Sequence, residues 1–468
     1  MQVKSKIVAS FIDDLKQIVG DEHILFDAAS LDTYAQDETE DLYFLPDLVV
    51  KPRTVAEISY ILKLCNRNQI PVTPRGGGTG LSGGALPHKG GLVLSTERLN
   101  KIISIDERNL QVTTEPGVIT EVLQDAVKEK NLFYPPDPSS KGSSFIGGNV
   151  AENSGGPKAV KYGVVKDYVL NLEMVLATGD IIWTGANVLK NATGYNLTQL
   201  VVGSEGTLGI VTKIVLKLIP LPRFDLLMLV PFSSSERACA AVSAIFQAGY
   251  IPSGLEFMER DALVFVSKFM ESTTVKIDDG VQAHLLIEVD GNHMENLMQE
   301  MEAIAGLMGE FGSGEILFAE DALQKAELWK LRRRVGEAVK AHSVYKEEDA
   351  VVPRAELAVL LRGVKSLGEK YGFQSVCYGH AGDGNLHINI IKGDMSEEKW
   401  NGSLKDGIRE IFQLVKSLGG TISGEHGIGL VQKEYMEIMF DNKQMLLMKE
   451  IKKVFDPNGI LNAGKIFD

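Results

Sequence analysis

The sequence predicts an α+β protein of more than one domain, and three observations carry that reading. The chain has 468 residues, 44% of them hydrophobic, which is material for more than one buried core. Between about residues 47 and 220, short β-rich runs such as DLVVKP, PVTPRGG, GLVLST and ISIDERNLQVTTEPG alternate with helical ones such as TVAEISYILKLCNRN. From 222 to 425, strands such as FDLLMLVPF and AHLLIEVD alternate with long helices such as NLMQEMEAIAGLMGEF, the pattern of a mainly antiparallel sheet with helices packed on it. Pro220 and Pro222 in IPLPRFD mark the boundary between the two regions. Residues 426–468 read as two helices, a turn at DPNG and a tail, too little to stand alone, so they are expected to pack back on residues 1–221.

Charge narrows the function classes. A formal net charge of -14, with no basic stripe able to neutralise a row of phosphates, excludes nucleic acid as the main partner and disfavours an anionic membrane surface. The longest apolar runs, such as LLMLV at 226–230, are strand-sized, so no transmembrane segment is expected. Near the N-terminus Ile7, Val8, Phe11, Ile12 and Leu15 recur at helical spacing. Asp13 and Asp14 stand where a secretory signal would be apolar, so an amphipathic helix of a cytoplasmic protein is expected. Cys65, Cys239 and Cys377 are isolated and odd in number, which supports neither a disulfide framework nor a Cys-based metal site and predicts buried, inert thiols.

Three glycine-rich segments stand out. RGGGTGLSGG at 75–84 contains GxGxxG in Gly78, Gly80 and Gly83, but ALPHKGGLVLST follows where a dinucleotide fingerprint would open a helix. What survives is a loop of backbone N–H groups able to form a concave nest for phosphate oxygens. Two further loops, within 134–163 and 190–212, place Gly, Ser, Thr and Asn beside short apolar strands. Linkers have no need of such strands, so the three loops are read as parts of one binding domain.

Three of the eight histidines, His380, His387 and His426, fall in GHAGDGNLHIN and SGEHGIG. His380 ends the strand FQSVCY and His387 begins the next, so a Gly-Asp-Gly-Asn turn brings both imidazoles to one end of a hairpin. Glu425, after a third strand GGTIS, would complete a His, His, carboxylate set with vacant positions, suited to Zn, Mn, Fe or Co in a catalytic site.

The order PVTPRGGGTGLSGG, YPPDPSS, IGGNVAENSGGP, KYG and GSEGTLGIVT, with the tail FDPNGILNAGK, resembles the FAD domain of the vanillyl-alcohol oxidase/p-cresol methylhydroxylase flavoprotein superfamily. With GHAGDGNLHIN and GEHGIG added, the chain is most similar to the FAD-linked D-2-hydroxyacid dehydrogenases, the group of D-lactate dehydrogenase, D-2-hydroxyglutarate dehydrogenase and the glycolate oxidase D subunit. The resemblance implies a two-subdomain FAD-binding domain over 1–221, an α+β cap with an antiparallel sheet over 222–425 carrying substrate and metal groups, and a C-terminal segment on the FAD domain. It further implies that Pro74, Arg75, Gly76, Gly77, Gly78, Thr79 and Gly80, with Ser82 and Gly83, wrap the pyrophosphate. Pro138, Ser139, Gly147, Gly148, Asn149, Ser154 and Gly155 would line the cofactor channel. Glu205, Gly206, Gly209, Ile210 and Val211 would hold the adenosine half and the ring edge. Members with a covalent flavin often carry a histidine in the first loop, where this chain has Gly77 and Gly78, so FAD is expected to be non-covalent.

By the same resemblance His380, His387 and Glu425 bind a divalent metal (Zn, Fe or Mn), His426 is the base, Arg332 and Lys346 contact the substrate carboxylate, and Asn389 also touches the substrate. Of three consecutive arginines on one helix, Arg333 and Arg334 are read as a solvated face. The implied reaction is oxidation of a D-2-hydroxy acid to the 2-oxo acid by metal-assisted deprotonation of the hydroxyl and hydride transfer to flavin N5. Members specific for D-2-hydroxyglutarate tend to carry threonine where this chain has Gly336, which favours a small monocarboxylate: D-lactate first, glycolate close behind. Electrons would leave to a protein or quinone acceptor, such as an electron-transferring flavoprotein or an iron–sulfur subunit. An oxidase using oxygen and a flavin-free metal-dependent lyase or hydrolase are the rival classes.

Overall fold

The computed structural model describes residues 7–270 and 277–467, so residues 1–6 of the N-terminal helical stretch lie outside the described residues. The chain divides into two compact units. The first is Met1–Gly155, Val164–Leu221 and Glu425–Asp468; the second is Gly156–Gly163 and Pro222–Gly424. The short run 156–163, read from sequence as part of the first domain, thus groups with the second, and the closing segment begins at Glu425.

Among the described residues the first unit holds three sheets, of four, five and two strands. One is built from β1 (Ile24–Leu25), β2 (Leu48–Val50), β3 (Val72–Arg75) and β4 (Leu92–Ser95) in the order β1-β2-β4-β3, parallel except at β1. β2 and β4 are buried throughout, which is why they read as unbroken apolar runs rather than alternating ones. The helix Val55–Asn68 starts where the Thr54 hydroxyl accepts from Glu57 N at 3.2 Å, and its spacing lays Ile58, Ile61, Leu62 and Cys65 into the core. The helix Ala9–Val19 adds Phe11 and Leu15 to the same core, in line with the N-terminal periodicity.

The second sheet comprises β5 (Ile102–Asp106), β6 (Gln111–Thr114), β8 (Val169–Val175), β9 (Ile181–Trp183) and β10 (Ile210–Lys217), all antiparallel in the order β5-β6-β10-β8-β9. β7 (Leu132–Phe133) pairs separately with β11 (Ile219–Pro220). The closing segment completes this unit. Leu461 bridges to Val72, and the Asn462 amide group donates to Gly84 O (3.0 Å) and Glu205 O (2.6 Å). The buried Lys465 donates to Gly84 O at 2.7 Å.

Among the described residues the strands of the second unit form one seven-stranded antiparallel sheet. Its strands are β12 (Phe224–Phe232), β13 (Gly254–Glu259), β14 (Ala283–Gly291), β15 (Leu317–Phe318), β16 (Tyr345–Val351), β17 (Gln374–Gly379) and β18 (Asn385–Ile391), in the order β15-β12-β14-β13-β17-β18-β16. Leu227, Leu229, Met258, Leu286, Val376 and Tyr378 share one face of this sheet with a core supplied by the helices Arg260–Phe269, Ala322–Arg333 and Val335–His342. β17 and β18 form the hairpin expected around GHAGDGNLHIN, with a 3-10 turn over Ala381–Asp383. Gly384 ends the turn at φ +79°, and a Cβ there would lie 1.9 Å from Val352 O, so only glycine fits. GGTIS does not become a strand. It makes two single bridges to β16, Thr421 to Val351 and Ser423 to Asp349.

All three cysteines are buried, and burial pushes the Cys377 thiol up to about 12. Among the described residues no helix is long and apolar enough to cross a membrane.

Gly384→Ala is expected to cost about 2–3 kcal/mol, from the left-handed backbone and the clash together, measured by denaturant unfolding. Burial lowers the Lys465 ammonium from 10.5 to about 7, against the opposing pull of Asp37, Glu205 and Glu152. Between those values the unfolded chain holds a proton that the folded chain has released, so this group makes stability rise with pH across that window. Lys465→Met is expected to flatten the rise of the thermal midpoint between about pH 7 and 10 relative to wild type, as read by a thermal-shift series.

Candidate active site

Strand alternation assembles a polar surface inside the second unit. Glu347 pairs with Asn389, Asp349 with His387, and Tyr378 with His387, so these side chains emerge on the helix-covered face. β13 adjoins with Met258 opposite Tyr378, which brings Glu256 to the same face. His380 and His387 stand with ring centroids 5.4 Å apart and with one nitrogen of each within 4.8 Å of the other. Both are buried.

Carboxylates surround the imidazoles. His380 Nδ1 lies 2.9 Å from each oxygen of Glu256, and His387 Nδ1 lies 3.3 Å from Glu347 Oε1 and 3.8 Å from Asp349 Oδ1. Burial alone would push the Glu256 carboxyl up, but the charges of His380 and Arg332 outweigh it and hold Glu256 below the ordinary value. Burial and the neighbouring Glu347 push the Tyr378 hydroxyl well up, with Arg332 pulling the other way.

The helix Ala322–Arg333 delivers one of its arginines to this surface. Arg332 is 3% exposed, its Nη2 is 2.7 Å from Glu256 Oε2, and its guanidinium lies over the Tyr378 ring. Its Nε, like the amide oxygen of the fully buried Asn389, has no hydrogen-bond partner among the described residues. Buried polar atoms of this kind are rare unless a ligand satisfies them. Arg333 leans on Trp329, and Arg334 sits near Glu337 and Phe269 with its side chain 42% exposed, so neither reaches the polar face.

Lys346 is a correction. It pairs with Ile390 on the opposite face of β16, where its ammonium lies over Trp400. The neighbouring Glu347 takes the position on the polar face instead, because adjacent strand residues point to opposite sides.

The remaining predicted residues belong to the first unit, where four loops are tied together. A Cβ at Gly77 would lie 2.5 Å from Ser143 O and one at Gly76 3.7 Å from Gly148 Cα, so the first loop and the helix Ile146–Glu152 meet backbone to backbone. Gly80 and Gly148 face open space. Pro74 lies in β3, and Thr79, Ser82 and Gly83 continue the first loop, Gly83 N donating to Thr39 Oγ1 at 2.7 Å. A glycine-lined concavity of backbone amides suits a phosphate-bearing cofactor, so the segment fits FAD. Pro138 and Ser139 precede the turn closed by Lys141 N to Pro138 O, and Asn149 is fixed by Thr120 Oγ1 at 2.6 Å. Gly147 packs on Pro116; Ser154 N donates to Asn149 O.

Two side chains expected to hold the cofactor also make ties within the protein. Arg75 donates to Gln36 O at 2.8 Å. Glu205, at φ +50°, accepts from the amides of Ile428 and Gly429, both at 2.7 Å. Gly206 packs on Pro74, Gly209 on Met174, and Ile210 and Val211 open β10 beside β8. Burial pushes the Glu205 carboxyl and that of nearby Glu152 up. Glu425 accepts from Gly155 N at 3.1 Å, and Leu430 N donates to Ser82 O at 2.8 Å. His426 is thus carried on a short loop fastened on both sides to all three glycine-rich segments. No local motif announced that role for Glu205, whose partners lie 223 and 224 residues away.

Comparison with known proteins agrees with this construction. Residues 46–185 match the family model described as an FAD binding domain, and residues 221–466 match that of the FAD linked oxidases, C-terminal domain. The chain is 40% identical over 459 residues to the glycolate oxidase subunit GlcD of Bacillus subtilis, covering 97% of this chain and 96% of that one. It is 38% identical to a D-lactate dehydrogenase of Anaerostipes hadrus (99% and 98% covered) and 33% identical to a D-2-hydroxyglutarate dehydrogenase of Stutzerimonas stutzeri (98% and 99% covered). In fold it is similar to p-cresol methylhydroxylase, with a TM-score of 0.79 at 18% identity over 98% of this chain and 96% of that one. A 4-ethylphenol oxidase of Gulosibacter chungangensis superposes with a TM-score of 0.78 at 19% identity, covering 98% and 97%. The glycine-rich cradle, the antiparallel second unit and matches running nearly the full length converge on one conclusion: the chain belongs to the FAD-linked oxidases and is an FAD-dependent oxidoreductase.

Proposed function

We propose that the protein oxidises a D-2-hydroxy acid to the corresponding 2-oxo acid, with D-lactate the substrate and glycolate the nearest alternative. One observation carries this reading: a buried cationic and amide pair, Arg332 Nε and Asn389 Oδ1, lacks partners among the described residues beside two buried imidazoles. A carboxylate answers the arginine, and the neighbouring hydroxyl of the same molecule answers the amide oxygen. The names of relatives that act on glycolate, D-lactate and D-2-hydroxyglutarate support the substrate class. A small monocarboxylate is favoured by two features. Gly336 supplies no polar side chain where members specific for D-2-hydroxyglutarate tend to carry threonine, and Glu347 adds negative charge that opposes a second carboxylate.

In this reading Arg332 and Asn389 bind and orient the acid, while His426 takes the hydroxyl proton on a ring nitrogen and releases it to solvent. The anchored loop keeps that imidazole from wandering. The donor chemistry of His380 and His387, joined by Glu425 one residue beyond Gly424, suits a divalent cation such as Zn, Fe or Mn; when bound it would act as a Lewis acid that eases loss of the hydroxyl proton. FAD, held non-covalently by the first loop, supplies the hydride acceptor. The subunit naming of a relative supports an electron acceptor on a separate partner, either a protein or a quinone.

Assayed with a dye acceptor, the wild type is expected to turn over D-lactate and to leave L-lactate unused; the reverse preference overturns the proposal. His426→Ala is expected to keep flavin and metal yet to slow anaerobic flavin bleaching by about 10²–10⁴-fold. His380→Ala is expected to lose the metal as well, measured by elemental analysis, and unchanged metal content refutes the ligand assignment. Acid denaturation is expected to release the yellow chromophore into the supernatant, and retention on the precipitate overturns non-covalent binding.

A further inference from the structure

Glu256 has no place in the glycine-rich or histidine motifs, yet its side chain is at the centre of the second unit's polar face. It is fully buried on β13. Its two oxygens each lie 2.9 Å from His380 Nδ1, and Oε2 also lies 2.7 Å from Arg332 Nη2. Burying a carboxylate in an apolar sheet is costly, and a role in packing alone would be met by a residue without charge. Here the carboxylate is shared between two groups of different purpose. Toward His380 it accepts a hydrogen bond from Nδ1–H, which fixes the tautomer and leaves Nε2 as the ligating nitrogen. Toward Arg332 one oxygen forms an ion pair with Nη2, and the buried Nε, without a hydrogen-bond partner among the described residues, is the donor left for an anion.

We propose that Glu256 is a positioning residue that couples the cation site to the substrate clamp, one carboxylate setting both His380 for metal ligation and Arg332 for the 2-hydroxy acid. This rests on the function proposed above. It makes metal affinity and substrate affinity fall together when a single distant side chain is altered.

The test uses Glu256→Gln in the full-length, flavin-loaded protein, with Zn2+ and Mn2+ affinities measured by chelator competition and D-lactate kinetics measured separately. The expected result is metal binding weakened by about 10–100-fold with flavin content unchanged. The KM for D-lactate is expected to rise in metal-saturated enzyme, because Arg332 has lost its anchor. If Glu256→Gln does not fold, Glu256→Asp, which withdraws the carboxylate while keeping its charge, serves in its place with the same expected direction. A variant that is merely less heat-stable, with metal affinity and KM as in wild type, overturns the proposal. If the wild type itself binds no cation through His380, the metal reading fails and this inference fails with it. Wild-type binding that survives Glu256→Gln intact overturns only the role of Glu256.

Discussion

A fully buried carboxylate must find donors, and Asp349 finds them in a way that organises the site around it. Its oxygens accept from Asn385 Nδ2 at 2.7 Å, Ser423 Oγ at 3.2 Å and Gly424 N at 2.8 Å. Asn385 opens β18 and Gly424 ends the second unit, so one side chain on β16 fixes both the start of the histidine-bearing strand and the point from which the chain departs toward Glu425 and His426. Without that carboxylate the run 421–424 would be held by little more than single bridges. The cost of leaving charge buried and unpaired makes this junction all or nothing.

A comparable economy governs the first unit. The loop after Gly424 has no regular structure of its own, yet Glu205 takes two of its amides, Gly155 contributes an amide to Glu425, and Ser82 accepts from Leu430. Each tie comes from a different glycine-rich segment. The glycines therefore do two jobs: they leave open space at Gly80 and Gly148, and elsewhere they let backbones approach closely enough for two carboxylates and a carbonyl to secure a loop.

What was legible in the sequence and what was not follow the same physical line. Local constraints were legible: the hairpin at GHAGDGNLHIN needs Gly384 in the left-handed region, the amphipathic helix near the N-terminus is marked by Phe11 and Leu15, and the boundary prolines close the first unit's strands. The resemblance led correctly to the fold class and the FAD-binding family. Position along a strand is not recoverable from a motif, since a shift of one residue exchanges faces: the resemblance points to Lys346, whereas the sheet puts Glu347 on the polar face. Glu256 was invisible for a different reason. Its strand, GLEFME, carries no unusual residue pattern, and its partner His380 is 124 residues away, so only the folded sheet brings them together.

The division of the chain also sets an order on its assembly. The polypeptide passes between the two units at 155/156, 163/164, 221/222 and 424/425. Val72, on the edge of the first sheet, receives its outer neighbour only from Leu461, and Gly84 receives Asn462 and Lys465. Leu461, Asn462 and Lys465 therefore reach the first sheet only after the whole second unit has been made. Until then β3 is an unpaired strand edge, the kind of edge that invites wrong pairing while a sheet is incomplete.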